Sequence, residues 1–247
     1  MSGHSHWAGI KHKKGIEDAK RGRVFSKISR LISLAAREGT NQELNPKLKQ
    51  AIEQAKMANM PKENIERAIK RGSGEIAGEK LESISVEILG PGSTAIIVEG
   101  ITDNKNRTLS EIKQICQQRG AKIATEGSVK WQFERMGIIG VSFQTQSEKF
   151  HSKEEIELLA IEAGAKDIQW YTQNNEDFLE IRTNPDELAN VKKTLEEKGL
   201  IIDSMELGWV AKQEVQVSEN EKETIKKFFE ELDDNEAVQN IYSNLNI

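Results

Sequence analysis

The chain has 247 residues, 36% hydrophobic and 30% charged, with 35 Lys and Arg against 40 Asp and Glu and a single cysteine. No run approaches the ~18 apolar residues of a membrane span, the basic start lacks the apolar stretch of a secretory signal, and one cysteine excludes an internal disulfide or a multi-cysteine zinc site. A soluble, cytoplasmic protein with one large domain or two to three small ones is expected.

The net charge of −5 is unevenly spread. Residues 1–72 hold 16 Lys and Arg against 7 Asp and Glu, which leaves 19 against 33 in residues 73–247. A basic head of +9 on an acidic body of −14 points to a nucleic-acid partner, because phosphate attracts the first and repels the second. The acidic body is left for protein contacts.

The first 25 residues hold three of the four histidines, His4, His6 and His12. Such a set could begin a metal site, but metal ligands must be held rigidly, and the lysines and arginines between positions 11 and 21 would repel a cation. No metal and no cofactor is expected. Trp7 sits beside the basic tract, where it can stack on a base or staple the tail to the helices; both readings stand.

Residues 16–38 carry apolar side chains at helical spacing (Val24, Phe25, Ile28, Leu31, Ile32, Ala35) and end at Gly39. On the same helix Lys20, Arg23, Lys27, Arg30 and Arg37 fall within about a 100° arc, a cationic rail roughly 25 Å long. Arg21 adds to it, and Lys11, Lys13 and Lys14 extend it. Asn45-Pro46 and Pro61 open two more helices, the second running to Gly72. Three short amphipathic helices must pack together to bury their stripes, which predicts a helical bundle over 1–78.

"GSGEIAGEK" (72–80) lacks the preceding strand and following helix of a phosphate loop and is expected to be a linker. Strands follow at "ESISVEILG" and "TAIIVEGI", then a helix over 108–119 and a strand at "SVKWQFER". Residues 137–210 give βαββαβ, the ferredoxin-like order. A strand at 213–217, a helix at 219–232 and a strand at 238–243 then return to the sheet begun at residue 82. The predicted fold is α+β and multidomain: a three-helix bundle, an α+β domain of 79–136 plus 211–247, and an inserted ferredoxin-like domain of 137–210. Capping-box spacing supports helix starts at Thr108, Asn184, Ser152 and Ser218.

"TDNKNRT" (102–108) lies between a strand and a helix, so Asn104, Asn106 and Arg107 offer donors where an anion is favoured. A simple helix cap explains Asp103 and Thr108. Cys116 shares a helical face with Leu109 and Ile112, as a core residue would. No nucleophile elbow, His-Glu-x-x-His or P-loop is present, so no small-molecule substrate and no enzymatic reaction is expected.

"GHSHWAGIKHKKG", "DAKRGRVFSKISR", "NMPKENIERAIKRG", "TDNKNRT", "GSVKWQFERMG", "AIEAGA" and "VQNIYSN" resemble the YebC/PmpR family, in order and along essentially the whole chain. The resemblance implies a three-domain architecture and a cytoplasmic DNA-binding transcriptional regulator. It also implies an alternative, since mitochondrial relatives are translational activators of cytochrome c oxidase synthesis and bacterial ones are linked to the ribosome and its RNA. Members commonly read Gly-His-Ser-Lys-Trp, so His6 replaces a fixed charge by one mostly neutral near pH 7.

Overall fold

The computed structural model describes residues 18–146, 149–173 and 175–245. In chain order its main elements are α1 (Asp18–Ala36), α2 (Pro46–Met57), α3 (Lys62–Ser73), β1 (Glu82–Leu89), β2 (Ala95–Thr102), α4 (Lys105–Gln118), β3 (Lys122–Ile123), β4 (Phe133–Ser142), α5 (Lys153–Glu162), β5 (Asp167–Gln173), β6 (Glu176–Thr183), α6 (Leu188–Glu197), β7 (Ser204–Ala211), α7 (Glu219–Asp234) and β8 (Val238–Ser243). They form an α+β structure with two four-stranded antiparallel sheets. The described chain divides into two compact units, residues 18–130 with 217–241 and residues 131–216 with 242–245.

In the first unit α1, α2 and α3 bury Ile32, Leu48, Ile52, Ala55, Ile65 and Ala68 in one core. Buried Asn45 joins two helices. Its Oδ1 accepts from Leu48 N at 3.0 Å, capping α2, and its Nδ2 donates to Ala35 O at 2.8 Å and Gly39 O at 2.7 Å at the end of α1. The α1–α3 crossing is close because its residues are small. Ser33 Oγ donates to Ala68 O at 2.8 Å, and a Cβ on Gly72 would meet Ser33 O at 2.2 Å, so any larger side chain would push the helices apart.

The first sheet has the order β3-β1-β2-β8. β1 and β2 pair from Glu82↔Thr102 to Leu89↔Ala95. Helix α4 packs on β1 and β3 and lies beside α7, where Arg119 forks onto Glu231 with one bond of 3.0 Å. Ser218 and Glu221 form the full capping box expected for α7. At the other end of α7, Ile101 N donates to Ala237 O at 2.7 Å. A Cβ on Gly100 would come within 2.5 Å of that same oxygen. Glycine there lets the α7–β8 turn lie on the end of β2.

The second unit is βαββαβ, with sheet order β5-β6-β4-β7. Helices α5 and α6 cover one face through Ile139, Val141, Ile156, Leu179, Ile181, Val191 and Leu195. This is the ferredoxin-like arrangement.

Four local expectations are corrected. Helix α4 begins at Lys105, not at 108, because Asn104 is its cap, accepting from Arg107 N at 3.1 Å. Thr108 lies inside the helix with its hydroxyl 2.8 Å from that of Thr102. Residues 128–132 are not strand: the Glu87 carboxylate accepts from Gly127 N (2.6 Å), Val129 N (2.6 Å) and Lys130 N (2.8 Å), which curls this segment into a turn. Residues 213–217 contribute only the Val215↔Leu245 bridge. Asn184 also makes no side-chain cap bond.

Candidate nucleic-acid interface

The sequence-predicted cations divide into three groups. His6, Trp7, Lys11, Lys13 and Lys14 lie outside the described residues, as does the side chain of Lys20. Arg21 is exposed on the first turns of α1. The rest of the rail is held by other parts of the same unit.

Arg23 forms an ion pair with Asp234. Lys27, only 9% exposed, donates to Asp233 Oδ1 at 2.7 Å and to Asp233 O at 2.6 Å. Arg30 splits its fork, with Nη1 on Ile101 O at 3.2 Å and Nη2 on Glu236 at 3.1 Å. Arg37 Nη1 donates to Leu81 O at 2.6 Å. Four cations of the expected rail, Arg23, Lys27, Arg30 and Arg37, are thus engaged in a seam within the unit.

The cause is electrostatic. The last turn of α7 carries no basic residue, and its sequence from Glu230 to Glu236 is EELDDNE. Acids at a helix C-terminus oppose the dipole, and cations there are favoured. Lys27 supplies one, bonded to both a last-turn carbonyl and its carboxylate. The seam joins residues more than 200 positions apart.

The structure brings the 102–108 loop to the same place. Arg30 reaches Ile101 just before it, and burial raises the Asp103 carboxyl pKa, but a backbone hydrogen bond and the charges of Arg107 and Arg30 bring it below the ordinary value. Arg107 donates to Asp103 at 2.5 Å and lies 3.8 Å from Glu111, while Lys105 meets Glu82 at 3.1 Å. Asn104 is occupied as a cap, and Asn106 stays exposed with its backbone carbonyl accepting from Ser110. Arg107 is thus paired locally.

Further cations without an ion pair among the described residues lie on α2 and α3. On α3 the buried set Ile65 and Ala68 faces the core; Arg67 and Lys70 point away from it and Arg71 flanks it, the three within about a 100° arc. All three are exposed, as are Lys49 and Lys56 of α2. The same projection that drew the rail on α1 would have found them in "ERAIKRG".

A shallow groove of about 410 Å³ runs between α1 and the end of α3. Ser26, Ser29, Arg30 and Ser33 line one wall, Arg71 and the 77–81 linker the other, with Glu236 at one end. Cys116 is buried, and burial pushes its thiol up to about 11, far from a reactive thiolate at neutral pH.

Two family models match nearly the full length. Residues 5–75 match the TACO1/YebC protein N-terminal domain, and residues 81–245 match the TACO1/YebC second and third domain. The chain belongs to the TACO1/YebC family. Among similar TACO1/YebC proteins, a probable transcriptional regulatory protein of Elusimicrobium minutum is 46% identical over 100% of this chain and 96% of its own length. One from Kosmotoga olearia is 45% identical over 99% of this chain and 94% of its own. A solved structure, the conserved hypothetical protein Aq1575 from Aquifex aeolicus, superimposes with a TM-score of 0.86 at 42% identity, covering 98% of this chain and 97% of that one. These relatives support a regulatory role for the TACO1/YebC fold described above.

Proposed function

We propose that the protein is a non-enzymatic, cytoplasmic, nucleic-acid-binding regulator of gene expression, and that it acts first as a DNA-bound transcriptional regulator. The observation that carries this reading is the outer face of α3, where Arg67, Lys70 and Arg71 are exposed and unpaired among the described residues. They belong to a 72-residue head of net +9, while the rest of the chain is net −14. Cations arranged this way contact phosphate and position a strand, and they carry no base readout by themselves. The basic tract Lys11, Lys13 and Lys14, with His6, Trp7, Lys20 and Arg21, is the proposed extension of that surface. Arg23, Lys27, Arg30, Arg37 and the 102–108 residues Asn104, Asn106 and Arg107 are proposed to support it from behind the seam. The acidic body is the proposed surface for protein partners. No described helix is long and apolar enough to cross a membrane.

In-cell crosslinking with sequencing of the bound nucleic acid tests the reading. Wild type is compared with Arg67→Ala/Lys70→Ala, whose side chains are exposed and make no ion pair with a carboxylate among the described residues. Promoter DNA enriched in wild type and depleted in the variant is the expected result. Enrichment of ribosomal RNA instead would replace the transcriptional reading with translational activation. Equal recovery from both proteins would overturn nucleic-acid contact through α3.

A further inference from the structure

We propose that the groove between α1 and the end of α3 seats one backbone phosphate of a nucleic-acid strand, with Arg71 as its charged ligand and Ser26 and Ser29 as neutral donors. The proposal rests on the nucleic-acid reading and names a contact point within it. Ser26, Ser29, Arg30 and Ser33 stand at i, i+3, i+4 and i+7 on one face of α1. Ser33 is occupied, its Oγ bonded to Ala68 O at 2.8 Å. The hydroxyls of Ser26 and Ser29 have no hydrogen-bond partner among the described residues, and both line the groove.

Arg71 faces them from α3. Its stem is packed, since a Cβ on Gly78 would lie 3.4 Å from Arg71 Cβ, while its guanidinium forms no ion pair among the described residues. A guanidinium fork matches a phosphate with two parallel N–H bonds. Two carboxylates also line the groove. Glu236 is neutralised by Arg30 at 3.1 Å, which leaves Arg71 and Glu79 as the unpaired charges of the lining. The free donors are thus one fork and two hydroxyls, against one free carboxylate on the linker side. A phosphate bound here would be opposed by Glu79, and removing that charge should strengthen binding.

This opposition gives a test with opposite signs. Affinity of the full chain for a labelled 20-nucleotide single strand, as DNA and as RNA, is measured against salt for wild type, Arg71→Ala, Ser26→Ala/Ser29→Ala and Glu79→Gln. Thermal melting of each variant is followed alongside. Arg71→Ala is expected to weaken binding about tenfold and to lower the log–log salt slope by about 0.7, the value for one phosphate on a single strand. The serine pair should weaken binding several-fold with the slope unchanged, because hydroxyls release no counterion. Glu79→Gln should tighten it.

Binding that persists unchanged in Arg71→Ala and in the serine pair would overturn the groove while leaving the nucleic-acid reading intact. Absence of single-strand binding by folded wild type would overturn the groove, and absence of binding to a promoter duplex as well would overturn the nucleic-acid reading. Saturable binding of inorganic phosphate or AMP, with no further gain for the 20-nucleotide strand, would overturn the strand assignment in favour of a small-phosphate site.

Discussion

Lys27→Glu combined with Arg30→Glu is expected to unfold much of the first unit, and not merely to remove a binding surface. The Lys27 side chain is 11% exposed and its partner Asp233 31%. Breaking a buried pair by replacing one partner costs about 3–5 kcal/mol. Reversal is worse than removal, because a carboxylate would then stand beside Asp233 and beside the C-terminal carbonyls of α7. Arg30→Glu adds the loss of the bond to Ile101 O and a second like-charge contact with Glu236. Urea unfolding checks this: the midpoint should fall by an amount equivalent to about 3 kcal/mol or more. Lys27→Glu with Asp233→Lys should recover part of it. A loss below about 1 kcal/mol would mean that the seam behaves as a screened surface pair.

The consequence for function is direct. A variant of this kind that fails to bind nucleic acid would report lost folding. Variants on the outer face of α3, where the cations are unpaired, separate the two effects.

Glu87→Ala is expected to have a comparable effect by a different route. Glu87 is 6% exposed, and its carboxylate gathers three backbone N–H groups of residues 127–130. Without it those donors must find water or stay unsatisfied, and hydrogen bonds to a charged group contribute about 1.5–3 kcal/mol each. A loss of about 3 kcal/mol or more follows even if the three are far from additive. Glu87→Gln should lose less, since an amide oxygen still accepts.

The pH dependence has a definite sign. Burial raises the Glu87 pKa, but the three N–H groups and nearby Lys130 bring it below its usual value of 4.5. A carboxyl whose folded pKa is depressed stabilises fully above the unfolded pKa, and that contribution is lost as pH falls through the folded value. The gap in melting temperature between wild type and Glu87→Gln should therefore narrow in acid, below about pH 4.5. A gap that stays constant from pH 7 to pH 3 would contradict the charged role of Glu87.

Much of this fold is legible in the sequence because it is written in local periods. The apolar spacing in α1, Pro46 and Pro61 at helix starts, Ser218 with Glu221, and the Asp167–Gln173 and Glu176–Thr183 strands are each set by neighbours a few residues away. The errors have non-local causes. Segment 128–132 has strand composition, but Glu87, some 40 positions earlier, takes its N–H groups. Thr108 has the spacing of a cap, but Asn104 reaches the free N–H first.

The candidate site was legible in part for the same reason. The basic face of α1 shows in a helical projection, but its acidic complement sits at the far end of the chain in EELDDNE. Along the chain the two charge runs stand about 200 positions apart, beyond the reach of any local period. Only the fold shows that they cancel, and that Arg67, Lys70 and Arg71 of α3 have no ion pair among the described residues.

The most direct measurement is the salt dependence of affinity for a single-stranded oligonucleotide in three folded proteins: wild type, Arg67→Ala/Lys70→Ala, and Arg23→Ala. Each cation that neutralises a phosphate contributes about 0.7 to the log–log slope. The α3 pair should lower the slope by about 1.4, while Arg23→Ala, which removes a cation already matched to Asp234, should leave it unchanged. A slope lowered by Arg23→Ala and untouched by the α3 pair would contradict the account and return the interface to α1.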